Sequence, residues 1–436
     1  MGRILIDGYN LGLEKGTGVA TYARNLSYEI ANLGHEVDVL YGNRASATRN
    51  DLLREIYFFD SSVDDRDRWL EILDQAYRAI EGPFVFRAKQ IPVTGRVITR
   101  TFQSRLPKFD RLYNSPDLFT RAQSAFKLWK RPSTIRMPHK PDLAHWTYPI
   151  PLHVTGRPNI YTLHDVVPLR LPYTTLDHKR RYLQLLQTLD KKAAHFVTVS
   201  ESSKRDLVDL VGIAPERITN TYQSVSIPDK YLNKPEDQVA REVEGLTGFD
   251  YKGYFLFWGS LEPKKNIGRL IEAYLSSQVE TPLVIVGAQA WKAEQELKLL
   301  GDTETVYGSI ERRRGARKRI IQMPYAPFPL LVSLIRGAKA AMFPSLYEGF
   351  GLPVLEAMLL GTPVICSNTS SLPEVAGDAA LMVDPYDTQA ITQAIRALDA
   401  DAALRDHHIA LGHQQAARYS PEIYRERLKD VYDRFL

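Results

Sequence analysis

The pattern that most constrains the fold is an apolar strand, a glycine-containing loop and a helix, which occurs twice in the 436-residue chain. The strands are predicted at residues 4–6, 37–40, 254–258 and 283–287, and the helical patterns between them run through residues 22–30 and 267–275. A strand–helix–strand unit favours a parallel sheet. Two such starts predict an α/β protein with two Rossmann-like domains facing across a cleft. Ligands of such sheets bind at the carboxyl ends of the strands, so we expect the site in that cleft.

Length and composition agree with two domains. A chain of 436 residues exceeds one ordinary core, and 44% hydrophobic with 25% charged residues is typical of globular proteins. A polar stretch at 228–249 is predicted to be a linker, which gives domains at 1–235 and 250–420 and a final helix at 421–436. The single cysteine, Cys366, excludes an internal disulfide and is expected to be a buried, inert thiol. No signal peptide or membrane-length apolar run is evident, so we expect a cytoplasmic protein.

Residues 345–358, which read SLYEGFGLPVLEAM, carry the strongest chemical signal. Two carboxylates, Glu348 and Glu356, stand eight positions apart across a glycine-rich turn that opens a helix. Pro353 suits the first turn of that helix, where unpaired backbone N–H groups can approach an anion or a sugar hydroxyl. These amides belong to Gly349, Phe350, Gly351 and Leu352. The arrangement predicts a site for a polar, phosphorylated ligand.

This segment resembles the EGFGLPxxEAM signature of glycosyltransferase family 4, and a looser resemblance covers nearly the whole chain. Members of that family have the GT-B fold and transfer a sugar from a nucleotide donor with retention of anomeric configuration. The resemblance implies that Glu348 faces the donor sugar and that Glu356 binds the ribose hydroxyls. A carboxylate suits both tasks, because it accepts two hydrogen bonds at once from vicinal hydroxyls. The resemblance also implies that the helix at 421–436 packs back on the first domain.

A second candidate element is the loop at residues 259–266, which follows a predicted strand and precedes a helix. Its amides and a lysine can converge on a diphosphate. The loop resembles the family's second phosphate-binding element, in which Lys265 matches the expected lysine. Ser260 stands where many members have an arginine, and Lys264 is a possible substitute for that cation.

Two elements of the first half are expected across the cleft from the donor. The loop that ends at Gly18 resembles the family's glycine loop, whereas a nicotinamide-binding G-x-G-x-x-G loop would need a glycine in place of Thr21. His164 directly follows a predicted strand, and the resemblance implies that it lies near the donor sugar and hydrogen-bonds the sugar or the acceptor. His145 is interpreted as structural.

The sequence shows no cluster of His, Cys or Asp residues with metal-ligand spacing. We therefore expect no metal and no cofactor, with a nucleotide diphosphate sugar bound as substrate. Positive charge for the departing diphosphate would then come from Lys265, its neighbours and helix N-termini.

Charge is concentrated in residues 87–140, which contain 13 Lys or Arg residues but only Asp110 and Asp117 as acids. The segment also carries six aromatic residues that could enter a lipid interface: Phe102, Phe109, Tyr113, Phe119, Phe126 and Trp129. We expect contact with an anionic membrane surface, which would make the protein peripheral at the inner face of the plasma membrane. A solvated basic surface is the alternative, and no motif supports nucleic acid as the partner.

The leading hypothesis is a retaining hexosyltransferase of polysaccharide biosynthesis that acts on a glycan or a lipid-linked acceptor. GDP-mannose is the first donor to consider, because similar bacterial polysaccharide enzymes often use it. Two alternatives stay open: a nucleotide-sugar 2-epimerase of the same fold, and an inactive sugar-nucleotide-binding protein, which the serine at position 260 would favour.

Overall fold

The computed structural model describes residues 1–12, 18–43, 50–59, 84–97, 106–288 and 320–436. The loop immediately before Gly18 and the part of the basic segment between 98 and 105, including Phe102, lie outside the described residues.

The first domain is built on a parallel sheet. The strands of this half of the chain are β1 (Arg3–Asp7), β2 (Glu36–Tyr41), β3 (Val85–Arg87), β4 (Lys89–Ile91), β5 (Arg111–Asn114), β6 (Ser133–Arg136), β7 (Leu143–Trp146), β8 (Leu152–Val154), β9 (Asn159–Leu163), β10 (His195–Thr198) and β11 (Ile218–Asn220). The main sheet has the order β11-β10-β9-β7-β1-β2-β5-β4, in which β4 runs antiparallel to β5. Strands β3, β6 and β8 form a separate parallel sheet. The central position of β1 places its carboxyl end beside that of β7, where the strand order reverses.

Helices cover this sheet and lead into the second domain. They are α1 (Gly18–Asn32), α2 (Asp51–Phe59), α3 (Leu118–Trp129), α4 (Val167–Arg170), α5 (Lys179–Asp190), α6 (Glu201–Asp206), α7 (Asp229–Leu232) and α8 (Glu236–Thr247). A π-helical turn, Leu207–Val211, continues α6, and a 3-10 turn, Pro215–Arg217, precedes β11.

The second domain repeats the architecture with a six-stranded sheet. Its strands are β12 (Phe255–Trp258), β13 (Leu283–Val286), β14 (Ile320–Met323), β15 (Ala340–Phe343), β16 (Val364–Ser367) and β17 (Ala380–Val383). Its helices are α9 (Ile267–Ser277), α10 (Phe328–Gly337), α11 (Leu352–Leu359), α12 (Leu372–Ala376), α13 (Thr388–Ala400), α14 (Ala402–Ala417) and α15 (Pro421–Tyr432), with 3-10 turns at Pro263–Lys265 and Gly377–Ala379.

The strand order of this sheet, β14-β13-β12-β15-β16-β17, reverses between β12 and β15. All of its described pairings are parallel. Strands such as β12 and β15 are apolar throughout and fully buried, because helices cover both faces of a parallel sheet. The eight-stranded sheet, parallel except for the β4–β5 pair, and the parallel six-stranded sheet confirm the predicted α/β class with two Rossmann-like domains. The reversal point, where such sheets bind ligands, lies at the carboxyl ends of β12 and β15.

The polar stretch predicted as a linker is helical. Within it, α8 packs on α10 and buries Val239 and Val243 completely. The Glu242 carboxylate, with Oε2, accepts hydrogen bonds from Ser333 Oγ at 2.6 Å and Lys234 Nζ at 2.5 Å. The stretch predicted to be a linker therefore contains a packed helix, whose two-valine spacing is masked in the sequence by the surplus of charged residues.

The last helix, α15, returns to the first domain and packs against α1. Arg425 Nε donates to Glu29 Oε2 at 2.6 Å, and the Tyr432 hydroxyl lies 2.6 Å from His145 Nδ1. His145 Nε2 lies 2.8 Å from Thr162 Oγ1, so both ring nitrogens are engaged in the core. Burial lowers the pKa of His145 to about 3, and the engagement of both ring nitrogens in the core agrees with its interpretation as structural. Cys366 is likewise fully buried, and burial raises its pKa to about 12, as expected of an inert thiol.

Candidate active site

The buried centre of the candidate site is an ion pair between two loops of the second domain. Lys265 ends the 3-10 turn after β12, and Glu348 lies in the loop after β15. Lys265 Nζ lies 2.6 Å from Glu348 Oε1, and Ser345 Oγ donates to the same oxygen at 2.8 Å. The two charged side chains are only 11% and 10% exposed. The pair brings the two predicted donor-binding loops together at the point where the strand order reverses.

Three nearby groups decide the ionisation of Glu348. Burial would raise the pKa of this carboxyl, but Lys265, Lys264 and the Ser345 hydroxyl together hold it below its ordinary value. Glu348 is therefore ionised at neutral pH. The ammonium of Lys265 has three donor hydrogens, so its bond to Glu348 leaves two for another acceptor such as a phosphate oxygen.

Glu356 occupies a different electrostatic setting on α11. It lies partly buried, and its Oε2 accepts a hydrogen bond from the indole of Trp258 at 3.0 Å. Burial raises its pKa to about 7, although the Trp258 bond and the charge of Lys265 act in the opposite direction. Hydroxyl groups that donate to this carboxyl would favour its charged form and so lower its pKa.

The loop between these acids presents unpaired amides. Gly349, Phe350, Gly351 and Leu352 donate no backbone hydrogen bond to another described residue. Gly351 has φ 105°, and a Cβ there would lie 2.6 Å from Leu372 Cδ2, so this position requires glycine. The amides open helix α11, where the helix dipole adds positive potential.

His164 reaches the cleft from the first domain. It directly follows β9, and its Nε2 lies 2.9 Å from the carbonyl oxygen of Thr147. Because a carbonyl can only accept, Nε2 carries the proton and Nδ1 does not. Burial lowers the pKa of His164, which keeps the ring neutral. Its ring packs edge-on against Tyr22 of α1 with centroids 4.7 Å apart.

The two domains approach closely beside His164. A Cβ at Gly349 would lie 2.7 Å from the carbonyl oxygen of His164, and one at Gly18 would lie 3.9 Å from Leu352 Cδ1. Gly18 and His164 therefore face the 349–352 loop, as expected of elements across a cleft.

The other two predicted residues of the phosphate loop differ in position. Lys264 is largely buried, and its Nζ lies 4.0 Å from Asp165 Oδ2. Burial would lower its pKa, but the charges of Asp165, Glu348 and Glu262 raise it, so Lys264 is a cation in the site. Ser260 is exposed and donates to Glu262 Oε1 at 2.7 Å. Ser260 thus lies at the rim and supplies no charge.

Sequence reasoning missed three residues that shape this site. Trp258 holds Glu356, and Asp165 faces Lys264 across the cleft. Asp7, at the end of β1, is buried and accepts the backbone N–H of Thr147, and burial raises its pKa to about 6. The only available signal was position, since Trp258 and Asp7 end central strands and Asp165 follows another strand by two residues.

Metal and membrane features were sought in the described residues. Among them no group of three or more His, Cys, Asp or Glu residues could hold a metal ion. In the same ranges, no helix is both long and apolar enough to cross a membrane.

Comparison with known protein families accounts for this geometry. Residues 16–226 match the model of Glycosyltransferase Family 4, and residues 244–414 match that of Glycosyl transferases group 1. The O-antigen chain mannosyltransferase B of Escherichia coli is 33% identical over 60% of this chain and 67% of its own length. The chain belongs to glycosyltransferase family 4 and is a hexosyltransferase.

More distant proteins agree on the class. The serotype-specific mannosyltransferase WbdA of Escherichia coli is 28% identical over 63% of this chain, which spans only 33% of that protein. Sucrose-phosphate synthase from Thermosynechococcus elongatus superposes over 100% of this chain and 99% of its own, with a TM-score of 0.64 at 16% identity. Anabaena HepE, solved with UDP and glucose, superposes over 99% of this chain and 100% of its own, with a TM-score of 0.63 at 14% identity. WaaG, a glycosyltransferase of lipopolysaccharide biosynthesis, covers 98% of this chain and 99% of its own, with a TM-score of 0.59 at 15% identity. These structures show the GT-B fold.

Proposed function

We propose that this hexosyltransferase transfers mannose from GDP-mannose to a growing bacterial polysaccharide, with retention of configuration. The observation that carries the proposal is the 33% identity with an O-antigen mannosyltransferase. It is supported by the Lys265–Glu348 pair, by the charge of Lys264 beside Glu348 and by the loop amides that lead to Glu356. The 2-epimerase and the inactive binding protein are not favoured, because mannosyltransferases recur among the relatives.

Each residue of the site has a role in this proposal. The Glu356 carboxylate accepts the two ribose hydroxyls, and Lys265 and Lys264 with the loop amides hold the diphosphate. Glu348 accepts a hydroxyl of the donor sugar while it keeps Lys265 in place. Neutral His164 lies beside the donor sugar and hydrogen-bonds the sugar or the acceptor.

The bond that breaks joins the sugar's anomeric carbon to the diphosphate oxygen. The acceptor oxygen attacks from the same face, and its proton passes to a diphosphate oxygen, so GDP leaves with the bonding electron pair. The two lysines and the amides stabilise the negative charge that grows on the diphosphate. In this proposal the donor is a substrate, and neither metal nor cofactor takes part.

A donor panel tests the proposal. The purified protein is heated with GDP-mannose, GDP-glucose, UDP-glucose or UDP-N-acetylglucosamine, and its melting temperature is measured. A ligand at about 100 times its dissociation constant stabilises by about 2.7 kcal/mol, so the true donor raises the melting temperature clearly. A synthetic α-mannosyl acceptor then gives a product whose anomeric configuration is read by NMR.

Three results would contradict the proposal. Stabilisation and turnover with UDP-glucose alone would assign a different donor, and a β-linked product would exclude retention. Consumption of donor without acceptor, with the epimeric nucleotide sugar as product, would favour the epimerase. Glu356→Gln and Lys265→Ala should each lose activity, while Glu426→Gln, a change at an exposed glutamate of α15, serves as the matched control.

We further propose that the first domain contacts an anionic membrane surface that carries a lipid-linked acceptor. The aromatic part of the sequence prediction needs correction, because Tyr113, Phe119 and Phe126 are buried in the core and unable to enter lipid. Trp129, another of the six predicted aromatic residues, is 52% exposed at the end of α3, and the neighbouring Leu128 is 68% exposed. Lys130, which directly follows Trp129, lines a cavity of about 280 Å³ together with His178, Arg180, Arg181 and Gln184.

Vesicle flotation tests this surface. The protein should float with vesicles that contain phosphatidylglycerol and stay behind with pure phosphatidylcholine. The triple change Lys130→Glu, Arg180→Glu and Arg181→Glu should abolish flotation. A matched triple at exposed basic residues of the second half (Arg241→Glu, Arg418→Glu and Lys429→Glu) should not. Equal flotation of both triples would refute the proposed surface.

A further inference from the structure

Helix α6 of the first domain is bound by the second domain at its amino-terminal end. The carboxylate of Glu374, on α12, accepts the backbone N–H groups of Glu201 at 2.9 Å and Ser202 at 3.0 Å. The first amides of a helix lack partners within the helix and carry positive partial charge. A side chain of one domain therefore completes a helix of the other.

Two serines of the same turn join the candidate catalytic segments. Ser200 Oγ donates to the carbonyl oxygen of Gly349 at 2.7 Å, and Ser203 Oγ donates to that of His164 at 2.8 Å. The Ser200 hydroxyl also accepts the N–H of Ser203 at 3.0 Å, which fixes the two hydroxyls relative to each other. The backbones of His164 and Gly349 thus meet through one rigid turn.

The second domain ties these contacts to the donor loop. Ser371, next to α12, donates through Oγ to the carbonyl oxygen of Glu348 at 2.9 Å, and Ser370 Oγ accepts the N–H of Glu348 at 2.9 Å. On the other side of the loop, the Tyr347 hydroxyl donates to the buried Asp206 Oδ2, at the end of α6, at 2.5 Å.

We propose that these contacts are a positioning device for transfer, which we call the α6 clamp: Ser200, Ser203 and Asp206 from the first domain, and Tyr347, Gly349 and Glu374 from the second. The clamp sets the distance between the donor loop at Glu348 and the first-domain side at His164. None of the clamp hydroxyls or carboxylates is assigned a contact with the donor. Its members act by holding the domains closed, and Glu374 is the key positioning residue.

The first experiment separates binding from turnover in Glu374→Gln. The amide keeps the size of the side chain, but it offers one neutral oxygen to two N–H groups. We expect kcat to fall at least about tenfold, the effect of losing two charge-assisted hydrogen bonds, while GDP-mannose affinity by calorimetry stays within about threefold. Glu426→Gln again serves as the matched control.

The second experiment measures the separation of the domains. Since Cys366 is buried, spin labels can be placed selectively at Gln187→Cys on α5 and Gln393→Cys on α13, which are exposed. Glu374→Gln should lengthen and broaden the distance distribution between the labels. The kinetic part rests on the proposed function, whereas the distance part does not, so the two can fail separately.

Gly349→Ala is a second variant that opposes the closed arrangement. The glycine has an ordinary φ, so alanine fits its backbone, but the new Cβ would lie 2.7 Å from the carbonyl oxygen of His164. It should lengthen the distance as Glu374→Gln does, and it carries the test if the latter fails to fold. Wild-type distances in both variants would overturn the proposal. A fall in kcat without a change in the distance between the labels would also overturn the proposal. An equal loss of donor affinity and kcat at the wild-type distance would do the same.

Discussion

Replacement of Glu356 by glutamine should stabilise the protein while it removes donor binding. The pKa of this carboxyl is raised to about 7 from its ordinary value of 4.5, chiefly because it is buried. Each pKa unit corresponds to about 1.4 kcal/mol, so holding the carboxylate ionised in the folded state costs about 3 kcal/mol as an upper estimate. Glutamine has the same shape, and its oxygen can still accept the Trp258 indole N–H.

The pH dependence of this effect has a definite sign. Below pH 4.5 the carboxyl is protonated in both the folded and the unfolded state, and Glu356 costs nothing. Between pH 4.5 and 7 the folded state keeps a proton that the unfolded chain has lost, so wild-type stability falls as pH rises. Above pH 7 the full cost is present. The stability advantage of Glu356→Gln should therefore be near zero at pH 4 and largest at pH 8.

Thermal unfolding of both proteins at pH 5, 6, 7 and 8 measures the difference. For a domain of this size, about 3 kcal/mol corresponds to a rise in melting temperature of roughly 6–12 °C at pH 8. Calorimetry with GDP-mannose should show that wild type binds more tightly at pH 8 than at pH 6, because the carboxylate form accepts the ribose hydroxyls. A variant that is no more stable than wild type at pH 8, or whose advantage is independent of pH, would refute the reasoning.

Three further perturbations test other parts of the site. Lys265→Ala leaves Glu348 buried without its partner and should lower stability by about 3–5 kcal/mol by chemical denaturation, whereas adding Glu348→Gln should restore most of the stability but no activity. Lys264→Ala should lower kcat at least tenfold. Ser260→Arg, added to the Lys264→Ala variant, should recover part of that kcat, because arginine restores a cation at the rim. An unchanged kcat in the double variant would show that positions 260 and 264 are not equivalent. Tyr432→Phe removes the hydroxyl that bonds His145 and should lower the free energy of unfolding, measured with denaturant, by about 1–3 kcal/mol without changing donor affinity. An unchanged free energy of unfolding would contradict the structural role of that bond.

The fold was predictable because its main signals are local. Short apolar runs followed by glycine loops mark the central strands, and Pro353 marks the start of α11 within one residue. The stretch at 228–249, predicted to be a linker, shows the limit of that approach, because its helix was not evident from the sequence. In α8 the buried face is narrow, so the apolar positions are few among charged ones, and only the packing on α10 reveals which residues they are.

The site was predictable where one loop carries its residues and less so where distant segments meet. Glu348 and Glu356 share one segment, but Lys265 is 83 positions from Glu348, and Trp258 is 98 positions from Glu356. Their pairing depends on the neighbouring positions of β12 and β15 in the sheet. For the basic segment at 87–140, the sequence composition was enough to predict the positive charge. Only the packing shows which of its aromatic side chains face the core.

The contacts indicate different roles for the two domains in donor binding and in closure. The Lys265–Glu348 pair, the Glu356–Trp258 pair and the free amides before α11 all lie within the second domain, so donor affinity should depend mainly on that domain. His164 comes from the first domain and reaches the donor loop only where Gly349 permits close approach. Gly349 belongs to both groups, since its amide lies in the donor loop and its carbonyl oxygen accepts from Ser200. The other binding residues and closing contacts are separate, so changes in the first set should alter KM and kcat together. Changes in the second set should alter kcat alone. Kinetic measurements on variants from both sets test this division. If both kinds of variant changed KM and kcat in the same way, donor binding could not be assigned to one domain and closure to the other.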